Sequence, residues 1–149
     1  MNKPLYDQDF FAWTQAQADA LKRRSAHELD WDNLIEEVRD MGGRDRREVK
    51  SRLINLLLHL LKWRYQPERR GASWANSIRI QQQELPLIFE QSPSLEVYAE
   101  AALADAYSQA RKSAAKQTRL PIDAFPETYP ETLAEIIAAD VDWDGEQEP

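Results

Sequence analysis

A chain of 149 residues with 42 % hydrophobic and 30 % charged side chains has the composition of a globular protein rather than a disordered one. It contains no cysteine, which excludes disulfides, zinc–thiolate sites, iron–sulfur clusters and a cysteine nucleophile. The net charge of −7 is unevenly spread: residues 44–79 carry ten basic and three acidic side chains, while both flanking segments are acidic.

The spacing of apolar residues predicts helices throughout. Asp7 suits an N-cap for a first helix, with Phe10, Trp13, Gln17 and Leu21 following at intervals of three and four. Lys22, Arg23 and Arg24 are cations at its carboxyl end, where the helix dipole favours them. Asp30 or Asp32 can cap a second helix whose apolar stripe is Trp31, Leu34, Ile35, Val38 and Met41, and Gly42-Gly43 is expected to stop it.

The third helix is expected to run from about Arg44 to Tyr65, before Pro67, because the residue preceding a proline avoids the α region. At 100° per residue, Val49, Leu53, Ile54, Leu56, Leu57, Leu60, Leu61 and Trp63 cover more than half of its circumference. Such a helix belongs at the centre of a bundle. Its narrower polar stripe holds Arg44, Arg47, Ser51, Asn55, His59, Lys62 and Gln66.

Ser73 can cap a fourth helix with Trp74, Ile78, Leu85 and Ile88 inward, and Pro86 should kink or split it. Ser92 or Ser94 can cap a fifth, whose face of Leu95, Tyr98, Ala102, Leu103, Ala106, Tyr107 and Ala110 is rich in alanine and suits close helix packing. A loop from Pro121 to Pro130 leads to a short last helix with Leu133, Ile136 and Ile137, Pro130 standing in its first turn. No segment alternates with a period of two, so no sheet is expected. The reading is an all-α, single-domain bundle of five to six helices over residues 1–139, around the central apolar helix at about 44–65, with a frayed acidic tail at 140–149.

The amino terminus has no apolar leader, and the run Leu53–Leu61, interrupted by Asn55 and His59, is too short to cross a bilayer. A cytoplasmic protein without a membrane partner is expected. The chemical inventory is thin. Ser51 and His59, eight residues apart on one helix, stand about 12 Å apart at 1.5 Å per residue, too far for a nucleophile and its base. Glu36, Glu37 and His59 are the only metal candidates, and they lack the Glu-x-x-His spacing of helical di-metal sites. No cofactor motif is present.

The most distinctive segment runs from His59 to Arg79, where Trp63, Tyr65 and Trp74 alternate with Lys62, Arg64, Arg69, Arg70 and Arg79. Arginine forks grip carboxylates and phosphates, and tryptophan and arginine are preferred anchors of interfaces. The competing structural reading makes Trp63 and Trp74 core residues that the arginines cover by cation–π contact while pairing with the acidic fifth helix.

Several segments together resemble the bacterial family termed domain of unknown function 29. They are Tyr6-Asp7-x-Asp9-Phe10-x-x-Trp13, Leu29-Asp30-x-x-Asn33-Leu34-Ile35-Glu36-Glu37, Met41-Gly42, Arg47, Ser51-Arg52-Leu53, His59-Leu60-Leu61-Lys62-Trp63, Gln66-Pro67-Glu68-Arg69-Arg70, Ser73-Trp74, Ile78-Arg79, Ser92-Pro93-Ser94-Leu95, Tyr107 and Phe125-Pro126. The resemblance spans about residues 6–137. It implies a single all-helical domain and brings no activity, cofactor or catalytic residue.

Three functions follow as expectations. The preferred one is a non-enzymatic, regulatory or antitoxin-like module that binds a protein partner or a second copy of itself. Its polar recognition groups would be Arg47, His59, Lys62, Gln66, Arg70 and Arg79, with Trp63 and Trp74 as anchors. The second is nucleic-acid binding through the basic segment 44–79, with steep salt dependence. The third is a metal-dependent enzyme using Glu36, Glu37 and His59.

Overall fold

The computed structural model describes residues 3–143. Among these it is all-α, with six α-helices and no strand: α1 (Leu5–Gln8), α2 (Phe10–Lys22), α3 (Trp31–Tyr65), α4 (Ala72–Gln91), α5 (Pro93–Thr118) and α6 (Leu133–Ala138). Single 3-10 turns at Ala26–Glu28, Pro67–Arg69 and Ile122–Ala124 lie in the connections. The chain divides into two compact units, one through Arg44 and one from Asp45, and α3 supplies residues to both.

The expected second and third helices are one helix of 35 residues. Gly42-Gly43 does not stop it. Two interior glycines cost about 1 kcal/mol each, but a restart would incur the nucleation cost again, and Arg39, Met41, Arg44, Arg46, Arg47 and Glu48 on either side are good helix formers. A glycine ends a helix only where the chain turns into the left-handed conformation that caps the last carbonyls. Here that role falls to Arg24 and Arg119, with φ of 57° and 60°, after α2 and α5. Behind Arg24, the Ser25 amide bonds to the Ala20 carbonyl and the Arg24 amide to that of Leu21, both at 3.0 Å.

The core lies in the second unit. Val49, Leu53, Leu56, Leu57, Leu60 and Leu61 of α3 are fully buried. They join Ile78 and Leu85 of α4, Ala99, Ala106, Ala110 and Ala114 of α5, and Leu133 and Ile136 of α6. The alanines recur at seven, four and four residues, so one side of α5 is small enough for neighbours to approach its backbone. Truncating any of the buried leucines to alanine should cost about 2–5 kcal/mol.

Three further expectations are corrected. Asp9, not Asp7, caps α2, its carboxylate accepting from the Ala12 amide at 3.0 Å, while Asp7 lies in the short α1. Of the kink or split expected at Pro86, the split is overturned: the proline sits inside α4 without ending it, and the helix has packed residues, Ile78, Leu85 and Phe89, on both sides of the proline to hold it together. The last helix starts after Thr132, whose hydroxyl accepts from the Glu135 amide, and not in the turn of Pro130. Of the expected acidic tail, residues 144–149 lie outside the described residues, whereas Val141 is buried and Trp143 meets Trp63 edge-on at 6.2 Å.

Candidate functional site

In the second unit the arginine–aromatic cluster is engaged largely with its own chain. Trp63 is buried. Arg70 donates from Nε to the Trp63 carbonyl at 2.6 Å, and its guanidinium carbon lies 5.0 Å from the Trp63 ring centre. Lys62 places its ammonium 5.3 Å from the centre of the half-buried Trp74 ring, and burial pulls its pKa down. Gln66 is buried and donates to the Thr118 carbonyl at the end of α5 at 3.2 Å. Arg79 donates to the Val141 carbonyl at 3.0 Å. His59 shares a bond between Nδ1 and the Asn55 carbonyl at 2.8 Å, and burial holds its pKa below the ordinary value. Arg47 is exposed.

Sequence reasoning missed the partners of this network. Arg64 donates to the Tyr129 hydroxyl at 2.7 Å and pairs with Glu131 at 2.5 Å. Gln82 donates to the carbonyls of Ile136 and Ala139 at 3.2 and 2.8 Å, closing the end of α6. Most of these acceptors are backbone carbonyls distant in sequence, and a carbonyl leaves no mark on residue identity.

The metal candidates are not gathered. Among the described residues no group of three or more His, Cys, Asp or Glu side chains could hold an ion. Glu37 instead accepts from the Tyr6 hydroxyl at 2.5 Å, and that bond, chiefly, pushes the phenol up to about 12.

In the first unit the organising residue is Asp30. Its carboxylate accepts from Trp13 Nε1 at 3.0 Å and from Asn33 Nδ2 at 2.8 Å, while its own amide donates to Gln17 Oε1 at 2.7 Å. The bond from Asn33, with help from Trp13, holds the Asp30 carboxyl below the usual carboxylate range against the opposing effect of burial. Trp13 is buried and meets Tyr6 edge-on at 4.9 Å and Phe10 in a stack at 5.6 Å. Trp13 and Ala20 are the apolar residues this unit buries among those described.

The stripe Trp31, Ile35, Val38 and Met41, which has helical spacing suited to a core, faces outward instead, at 47–60 % exposure. With Leu21, Leu29, Leu34 and Arg39, its first three members form an open groove of about 430 Å³ that is apolar except for the arginine. Trp31 is fixed there, because its indole N–H donates to the Ala26 carbonyl at 3.1 Å.

A protein-family model described as a domain of unknown function, DUF29, matches residues 5–142. None of the curated proteins and none of the solved structures matches the chain.

Proposed function

The chain belongs to the DUF29 family, whose description assigns no activity, and on that premise we propose that it is a non-enzymatic protein-interaction module whose contact surface is the apolar face of its first unit. The observation that carries this reading is the exposure of Trp31, Ile35, Val38 and Met41 along one side of α3. Contiguous apolar surface rimmed by charge marks a site that another protein covers. Trp31, held in place before any partner arrives, is the kind of rigid aromatic that anchors an interface.

The basic segment is reassigned by the same reasoning. Arg64, Arg70 and Arg79 spend donors on Trp63, Tyr129, Glu131 and Val141, which supports a fastening role for these three within the second unit. On this reading the apolar face of the first unit is preferred to the polar stripe of α3, on which Arg44 and Arg47 are also exposed.

Site-specific photo-crosslinking tests the reading. A photoreactive residue at Ile35, in the full-length chain in its own cell, should give a discrete protein adduct. The same residue at the exposed Glu100 should give none. No adduct at Ile35, or equal adducts at both positions, would overturn the proposal.

A further inference from the structure

We infer that the partner of this face is a second copy of the chain, paired through α3 in antiparallel orientation; the inference rests on the interaction reading above. Trp31, Ile35, Val38 and Gly42 succeed one another at four, three and four residues. That is the spacing of a seam on which two helices pack side by side. A glycine inside an exposed helix costs about 1 kcal/mol relative to alanine. Among the described residues nothing calls for one at position 42, where an added Cβ would meet no atom within 4 Å. A second helix running the opposite way supplies the reason. With Ile35 opposite Val38 of the second copy, Trp31 falls opposite Gly42 of that copy. The largest side chain of the seam then meets the smallest, at both ends.

The charges select the orientation. Asp32 and Arg39, seven residues apart, lie on one edge of the seam, and both are exposed. Leu34 and Met41, also seven apart, lie on the other edge. Among the described residues neither Asp32 nor Arg39 makes an ion pair within the chain. In an antiparallel pair each edge meets its own counterpart, so Asp32 faces Arg39 of the second copy twice over, and Leu34 faces Met41. In a parallel pair the charged edge would be set against the apolar one. The sequence is thus complementary to itself in one orientation, as an interface with a two-fold axis requires.

Sedimentation velocity on the purified full-length chain, from about 1 to 100 µM, reads the self-association. The expected result is a reversible dimer. Asp32→Arg and Arg39→Asp should each weaken it by about tenfold or more, because each sets like charges face to face. An equimolar mixture of the two variants, and the double variant Asp32→Arg/Arg39→Asp, should regain it. Circular dichroism confirms that each variant is folded. A monomeric wild-type chain at the highest concentration overturns the pairing, as does a dimer indifferent to the two charge reversals. Either outcome is separable from failure of the interaction reading, which would survive if the crosslink at Ile35 captured a different protein.

Discussion

Trp13 and Asp30, seventeen residues apart, are joined by a 3.0 Å bond from the indole Nε1 to the carboxylate. The same carboxylate holds Asn33 in the first turn of α3, so one side chain ties α2 to the start of the longest helix. Replacing Trp13 by Phe keeps most of the buried ring and removes the donor. The expected loss is about 1–2 kcal/mol, since the acceptor is charged but partly solvated. Asp30→Ala should cost a similar amount, and the double variant less than the sum, because both changes break one bond. Denaturant titration of the four proteins checks this; additive losses would contradict it.

The same carboxylate gives the first unit an acid limit. Its folded pKa is lowered, so the unfolded chain binds more protons in the window between that value and the ordinary one near 4. The stabilisation is complete above the ordinary value and is lost as the pH falls through the folded one. Amide exchange in α2 should accelerate below about pH 4 in the wild type and show no such step in Asp30→Ala.

His59 should report on the core in a higher window. Burial lowers its folded pKa, so the native state favours neutral imidazole, and its contribution to stability is present above the ordinary value near 6.5 and lost as the pH falls below it. The melting temperature should drop more between pH 7.5 and 5.5 in the wild type than in His59→Leu. Equal drops would contradict the assignment.

Arg24 occupies left-handed backbone at the end of α2, with φ of 57°. A side chain there costs about 1 kcal/mol that glycine does not. Arg24→Gly should therefore raise the unfolding free energy by up to about that amount. A fall would mean that the arginine side chain outweighs the strain.

Gln82 closes the carbonyl end of α6 through Ile136 and Ala139. Gln82→Leu leaves both acceptors without that donor and should cost about 1–3 kcal/mol. The loss should appear first as faster amide exchange in α6, ahead of α4. Uniform acceleration across both helices would contradict a local role.

The helical class and the central position of Leu53, Leu56, Leu57, Leu60 and Leu61 were legible because period and burial coincide there. Along Trp31–Met41 the same period is present and burial is not. Periodicity states which residues share a face; it does not state what covers the face. Gly42-Gly43 misled for a related reason, since a glycine pair stops a helix only when the following backbone turns left-handed. The arginine–aromatic cluster was legible as a cluster. Its role was not, because the carbonyls of Trp63 and Val141 that receive Arg70 and Arg79 carry no sequence signal. The resemblance to DUF29 carried the family and no chemistry.

The central claim is that the exposed face of α3 binds a protein while the basic cluster fastens the fold. Native mass spectrometry of the protein affinity-purified from its own cell, as wild type, Val38→Glu and Arg70→Ala, tests it most directly. Val38 is 60 % exposed, so its replacement should leave the helix intact. The prediction is an assembly heavier than one chain in the wild type and in Arg70→Ala, reduced to the single chain in Val38→Glu. An assembly lost in Arg70→Ala and kept in Val38→Glu would contradict the account.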